Sequence, residues 1–338
     1  MSTTIRDVAK RLKLSITTVS RALDGYDDVA ESTRELVIST AREMRYVPNR
    51  AARQLRRQRT ETIGYILPAE GTGFTDLFFS EFIAGLSDEA TLGHYDLLVA
   101  AAPPDSKAEK ELYKRWVQGG KVDGIIVNRV RLSDWRLHFL SRQHVPHVSL
   151  ERSLSHLDFV GVEVDSLSGL LELIAYLVSQ GHRRIAYIGG GSDLKIDHDR
   201  FAGYQAGLEA AAIGSDPVLV VRSNITSEDG YRAARQLLDL ANRPTAIVCI
   251  NDLTAIGAMH AAHERGLMIG RDVSIAGFDG IADAAHTEPP LTTLEQPVYT
   301  VARQLAHMLL AMIAGTPLET KQVRIQPKLL IRSSTGRA

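Results

Sequence analysis

The sequence predicts an α/β protein that opens with a separate all-α head. Three observations predict it. Residues 1–60 carry 13 Lys/Arg against 7 Asp/Glu, a net of +6, while the remainder carries 26 against 33, a net of −7. Three short amphipathic stretches with helix-capping residues fill residues 4–44. From residue 62 onward, short β-rich apolar runs alternate with helical stretches. A chain of 338 residues is long enough for two or three compact units, so a head and a larger body are compatible. The overall net charge of −1 conceals the asymmetry between them. A basic end on an acidic body is the electrostatic footprint of a nucleic-acid-binding part joined to a domain of another kind.

In the head, Thr4-Ile5-Arg6-Asp7 has the form of a capping box, a hydroxyl followed three residues later by an acid. Ile5, Val8, Ala9 and Leu12 then share one helical face. Lys13-Leu14 breaks the pattern, and Ser15 can cap a second helix from Ile16 to Leu23 that buries Val19, Ala22 and Leu23. Ser32-Thr33-Arg34-Glu35 reads as a second capping box, opening a third helix with Val37, Ala41 and Met44 inward. Two short helices joined by a tight turn, with a third closing the core, is the helix-turn-helix plan, although a generic three-helix unit fits the same pattern. The exposed side of the second helix favours DNA. Ser15, Thr17, Thr18 and Ser20 are small donors that let a helix approach phosphates, and Arg21 can read guanine with two hydrogen bonds.

Residues 44–60 contain no acid and six arginines, at 45, 50, 53, 56, 57 and 59. Away from DNA this is a solvated linker, because a helix of roughly eight residues does not stand alone in water. Next to DNA, phosphates neutralise arginines such as Arg50 and Arg53, and counterions are released. Pro48 suits a helix start, and Ala51 and Ala52 are small enough for two such helices to pack closely.

The body shows β-rich runs at 62–68, 96–101, 122–128, 146–150, 159–165, 183–190, 218–222, 246–251 and 273–278. Their alternation with helical stretches implies parallel sheets, in a single barrel or in open doubly wound lobes. Cys249 is the only cysteine, so no intrachain disulfide forms, and its apolar surroundings read as core. No stretch is apolar enough to span a membrane and no signal core opens the chain, which points to the cytoplasm.

The segments Ile5–Ala9, Leu14–Leu23 and Tyr46–Leu55 resemble the head and hinge of the lactose/galactose-repressor family of bacterial transcription regulators. The resemblance is nearly continuous through residues 3–56. It implies a recognition helix in the major groove, with Ile16, Thr17 and Arg21 at base-reading positions. Ser15, Thr18, Ser20, Thr33, Tyr46 and Asn49 match phosphate-contacting positions. It further implies that the hinge folds on the operator as a pair of helices, one per subunit, and that Leu55 wedges into the minor groove at the central base step.

The resemblance extends over 62–334, through Gly181–Gly189, Arg200–Tyr204, Asn251-Asp252, Asp272–Asp279 and Pro289–Gln296. It selects two doubly wound lobes like those of periplasmic sugar-binding proteins. The expected parts are a head at 1–46, a hinge and linker at 47–61, and an effector-binding body at 62–334. Within the body the expected lobes are about 62–161 with 292–322, and about 163–290 with 323–334. The chain then crosses between lobes near 161–163, 290–292 and 321–323.

Open α/β sheets bind ligands outside the carboxyl ends of their strands. Asn128, Glu151, Asn251 and Asp279 sit at such ends, and Arg200 opens a helix. Each alone is as readily a cap or turn residue, but together they suit the paired hydroxyls of a sugar, with Phe74 or Phe79 covering its apolar face. The resemblance carries effector contacts to Asn128, Arg200, Asn251 and Asp279, and also to Glu151 and Gln296. It departs at Ile225, where the lactose repressor has a stacking tryptophan, which argues against the same ligand. The stretch Val127–Trp135 is similar to regulators of glucoside utilisation.

Three other signals carry less. Gly189-Gly190-Gly191 lacks a third glycine at dinucleotide spacing, where Leu194 stands. His260 and His263 lie one turn apart with no third ligand, so no metal or cofactor is implied. Glu151 with Asp279 could imitate a glycosidase pair, but such an enzyme has no use for the basic head. The leading expectation is therefore a homodimeric, effector-controlled DNA-binding regulator and not an enzyme. A sugar-transport binding protein and a glycoside-processing enzyme are the alternatives. The tail after about residue 332 has no leucine heptads for a tetramerising coiled coil.

Overall fold

The computed structural model describes residues 3–46, 59–68, 77–154, 159–191 and 193–338. The expectations for Asn49, Arg50, Arg53, Leu55 and Phe74 lie outside the described residues. The chain divides into two compact units, Met1–Thr60 and Glu61–Ala338.

The head holds α1 (Ile5–Leu12), α2 (Ile16–Leu23) and α3 (Glu31–Glu43). The Asp7 carboxylate accepts from the Thr4 backbone N–H at 2.9 Å and from its hydroxyl at 2.7 Å, tying off the start of α1. Lys13 ends that helix in the left-handed region, with φ 54°. Ser15 caps α2 by accepting from the Thr18 N–H at 3.0 Å. Val8, Ala9, Val19, Ala22, Val29 and Val37 form the buried centre, with Ile5, Leu12, Leu23, Met44 and Tyr46 packed against it. One cap differs from expectation. The third helix starts at Glu31 after Ala30 instead of using Ser32 as its cap. Val29 is buried in the head core, and the helix starts beside it, two residues earlier than a Ser32 cap implies; the Thr33 and Arg34 N–H groups both bond the Ala30 carbonyl.

The body contains two six-stranded sheets. The first comprises β1 (Thr62–Pro68), β2 (Asp96–Ala102), β3 (Gly124–Val127), β4 (His147–Leu150), β5 (Gly161–Val164) and β11 (Gln322–Ile325), in the spatial order β11-β5-β4-β3-β1-β2. The second comprises β6 (Ile185–Gly189), β7 (Val220–Arg222), β8 (Ala246–Cys249), β9 (Ser274–Asp279), β10 (Thr292–Glu295) and β12 (Lys328–Leu330), in the order β12-β10-β9-β8-β6-β7. All pairings are parallel except β10 with β12. Each sheet reverses its winding direction once, beside β1 and beside β6, which is where open α/β sheets form binding crevices.

The helices follow the alternation read from the sequence: α4 (Leu77–Leu92), α5 (Lys107–Gln118), α6 (Trp135–Arg142), α7 (Ser166–Ser179), α8 (Lys195–Ala210), α9 (Ser227–Leu238), α10 (Asp252–Glu264) and α11 (Val298–Ala314). The three crossings between sheets come after Val164, after Glu295 and after Ile325, a few residues beyond the expected positions. A strand that left its sheet midway would orphan backbone hydrogen bonds, so β5, β10 and β11 complete their ladders first. Those last short strands, β10 to β12, were not among the expected runs.

Candidate functional site

On the head, the first turn of α2 presents a compact polar surface. Ile16 is 46% exposed at the first helical position, where folding has no need of an aliphatic side chain. Thr17 is exposed beside it. The Ser15 and Thr18 hydroxyls bond each other at 2.8 Å. Arg21 lies one turn on, paired with Asp28. Ser20 departs from this group. It is 4% exposed, and its hydroxyl donates to Asp24 at 3.3 Å, so its side chain lies on the inner face of the helix. Thr33 is half-buried in the first turn of α3, and Tyr46 is half-buried against the head core.

In the body, six of the expected effector residues line one cavity. Asn128, Glu151, Arg200, Asn251, Asp279 and Gln296 are joined there by Phe78, Arg129, Leu150, Ile196 and Ile225, around a small void of ≈40 Å³. The first sheet supplies Asn128 after β3 and Glu151 after β4. The second supplies Asn251 after β8, Asp279 at the end of β9 and Gln296 after β10, with Arg200 from α8.

Three of these residues have strained backbones. Arg129, Glu151 and Asp279 hold φ of 47°, 76° and 113°, a region that L side chains seldom adopt. Such strain persists where surrounding structure enforces it, and it clusters at ligand sites.

Asp279 is the hub of the second lobe's contribution. Its Oδ1 accepts from Arg200 Nη2 at 3.2 Å and from Gln296 Nε2 at 2.7 Å. Arg200 also donates through Nη1 to the Ile250 carbonyl, and its guanidinium lies over the Phe278 ring at 3.5 Å from the centroid. Asn251 spends its Oδ1 capping α10, accepting from the Thr254 N–H at 2.9 Å. Asp252, beneath it, is fully buried and accepts from the Thr293 hydroxyl at 2.6 Å and the Ile281 N–H at 2.9 Å. Burial, reinforced by the Asp279 charge, pushes its carboxyl up to about 8. Asp252 thus ties the start of α10 to the segment after β9. The resemblance marked Asn251-Asp252 as a word but not this tie.

Several buried polar atoms in the cavity wall have no hydrogen-bond partner: Asn128 Nδ2, Glu151 Oε2 and Arg200 Nε. An unpaired buried polar atom costs ~1–3 kcal/mol, so a ligand that satisfies these atoms is strongly favoured. With the Glu151 proton on Oε2, all three atoms can donate, and the hydroxyl oxygens of a polyol accept such bonds.

Phe79 does not line the cavity. It is buried with Phe82 and Leu86 against the first sheet, while Phe78 on the adjoining face of α4 reaches the cavity. Positions 79, 82 and 86 follow the helical core phase, and that phase turns Phe78 toward the ligand. Ile225 lines the cavity as expected.

The two lobes also meet through protein contacts alone. Leu132 N–H donates to the Asp193 carbonyl at 2.8 Å and Lys195 N–H to the Val130 carbonyl at 2.9 Å, a short antiparallel bridge between the segments after β3 and β6. Arg131, buried within it, pairs through Nε with Asp105 at 2.9 Å and Asp193 at 3.3 Å.

Glu151 carries a pH prediction. Burial pushes its carboxyl up to about 8, opposed by the Val164 N–H that bonds Oε1 at 3.2 Å. The folded protein then keeps this proton up to about pH 8, whereas the unfolded chain releases it near its ordinary value of 4.5. Stability from this group is present below that ordinary value and falls as pH rises toward 8. Glu151→Gln keeps the Val164 bond and removes the titration. Its melting temperature relative to the parent is expected to rise between pH 5.5 and 8.5, by an amount worth on the order of a few kcal/mol. Parallel pH profiles for the two proteins would refute this.

The comparisons with known proteins agree with this architecture. Residues 4–49 match the description "Bacterial regulatory proteins, lacI family", and residues 174–335 match "Periplasmic binding protein-like domain". The chain is 34% identical over 332 residues to the HTH-type transcriptional repressor CytR of Escherichia coli (strain K12), covering 98% of this chain and 96% of that protein. It is 32% identical over 342 residues to the HTH-type transcriptional regulator AglR of Rhizobium meliloti (strain 1021), covering 100% and 96%. Among solved structures, the lac repressor dimer bound to operator and the anti-inducer ONPF is similar with a TM-score of 0.85 and 26% identity, over 99% of this chain and 100% of that one. The complex of the transcriptional regulator CelR with cellobiose is similar with a TM-score of 0.76 and 29% identity, over 98% and 99%. With a helix-turn-helix head, two doubly wound lobes and full-length relatives that regulate transcription, the chain belongs to the lacI family of bacterial regulatory proteins and is a DNA-binding transcriptional regulator, not an enzyme.

Proposed function

We propose that this protein is a repressor that binds a pseudo-palindromic operator as a homodimer in the bacterial cytoplasm, on the nucleoid, and that a mono- or disaccharide controls it. The observation that carries the reading is the cavity drawn from both lobes, with buried polar atoms left unpaired in its wall. Asn128, Glu151, Arg200, Asn251, Asp279 and Gln296 hold the sugar hydroxyls, and Phe78 and Ile225 cover its apolar face. Support comes from the similar CelR–cellobiose complex and from a lacI-family regulator of Enterococcus faecium with bound ribose. In the head, Ile16, Thr17 and Arg21 read bases, and Ser15, Thr18, Thr33, Tyr46 and Asn49 hold phosphates. Arg50 and Arg53 neutralise the backbone at the hinge, and Leu55 enters the minor groove.

A thermal-shift screen of mono- and disaccharides, with nucleobases beside them, tests the effector class. A ligand of the native state stabilises it by about 2.7 kcal/mol at a concentration one hundred times its Kd. At least one sugar is expected to raise the melting temperature, and Glu151→Gln is expected to diminish that rise. A rise from a nucleobase with none from any sugar would replace the proposed class.

A further inference from the structure

Arg21 is the one long cation on α2, and its surroundings in the head are specific. Its Nε donates to Asp28 Oδ1 at 3.1 Å, and its Nη2 pairs with Asp28 Oδ2. Its guanidinium carbon lies 4.7 Å from the centroid of the Tyr26 ring. A guanidinium has two edges that each present a pair of parallel N–H groups. Asp28 occupies the side edge, made by Nε and Nη2. The end edge, made by Nη1 and the second hydrogen of Nη2, is not used by these contacts. That edge fits the O6 and N7 acceptors of guanine.

The loop that brings Asp28 and Tyr26 to Arg21 is itself fixed. Tyr26 N–H bonds the Arg21 carbonyl at 3.1 Å, and Val29 N–H bonds the Tyr26 carbonyl at 3.2 Å. Arg34 of α3 donates to that same Tyr26 carbonyl at 2.8 Å. Val29 is buried in the head core. Side chains of Arg21 and Asp28 are 43% and 56% exposed, so the pair adds little to folding. An acid beside a DNA-facing arginine also repels phosphates. Its placement is accounted for by what it does to the arginine.

We infer that Asp28, with Tyr26 beneath the guanidinium plane, is a positioning residue that holds Arg21 by its side edge and so sets its preference for guanine. The inference rests on Arg21 being a base reader. A long side chain held before binding loses less freedom on contact, and a held fork tolerates a wrong base less well.

The test uses full-length protein and a duplex that the parent protein selects from a random-sequence library. Each guanine is replaced in turn by 7-deazaguanine, which lacks the N7 acceptor. The parent is expected to lose about fivefold or more in affinity at one guanine of each half-site. In Asp28→Asn the loss at that guanine is expected to shrink below about twofold, with weaker binding to the unmodified duplex and undiminished binding to random DNA. A variant that is merely misfolded would lose random-DNA binding as well. An undiminished penalty in Asp28→Asn overturns the inference, as does tighter operator binding, which would make Asp28 a competitor of DNA instead. Arg21→Ala separates the two claims. If it keeps the parent's penalty at that guanine, Arg21 is no base reader and both claims fall; if it loses the penalty while Asp28→Asn keeps it, only the role of Asp28 falls.

Discussion

Removal of residues 1–60 is expected to abolish DNA binding while leaving a folded body that still responds to its effector. The head is a compact unit with its own buried centre, and the body's two sheets take no strand from it. The charge separates along the same boundary, +6 before it and −7 after. Non-specific binding of regulators to DNA comes from phosphate neutralisation, with Kd of roughly 10⁻⁴–10⁻⁶ M at physiological salt. A net-acidic body has no such source of affinity. Fluorescence anisotropy with a labelled duplex at low salt should show no binding by residues 61–338, while their melting remains cooperative and shifts with the same sugars. Retained DNA binding by the truncated body would show that the assignment of the head is wrong.

Arg200→Ala is expected to give the largest loss within the body. The side chain is buried, donates to the Ile250 carbonyl and to Asp279, and stacks on Phe278. Without it, Asp279 keeps the Gln296 amide but loses its counter-charge. Removing one partner of a buried ion pair costs ~3–5 kcal/mol. Charged hydrogen bonds to a ligand contribute ~1.5–3 kcal/mol each, so effector affinity should fall at least about tenfold. Calorimetry measures both quantities, and Asp279→Asn, which preserves shape, serves as the milder companion. Unchanged effector affinity in both variants would remove Arg200 and Asp279 from the ligand site. Operator binding without effector should survive in whatever fraction is folded, since the head is a separate unit.

Much of this was legible in the residues because local chemistry agreed with the global fold. Thr4, Asp7 and Ser15 cap as their spacing implies, and the inward residues of the head are those with helical periodicity. Polar residues ending apolar runs converge on one cavity, because parallel strands in an open sheet point their carboxyl ends the same way. What was missed required knowing the phase or reach of an element. Ser20 looks like its exposed neighbours in composition, yet its helical position faces the core. Phe78 and Phe79 are interchangeable in sequence, and only the rotation of α4 tells them apart. Strands of three or four residues, such as β12, carry too little alternation to announce themselves. The pairing of Arg131 with Asp193 spans two lobes and leaves no local pattern at all.

The bridge between Val130–Leu132 and Asp193–Lys195 holds the two lobes together through backbone hydrogen bonds. Its atoms belong to the protein alone, so it stabilises an arrangement of the lobes that contains it over one that lacks it. Each ~1.4 kcal/mol of that stabilisation is a factor of ten in the resting ratio of the two arrangements. Under the proposed sugar control, residues that never touch the sugar therefore bear on the resting ratio it acts upon. Substitution of Arg131 or Asp193 is expected to shift that ratio while leaving the cavity lining and the head unaltered, which operator affinity measured without effector would show.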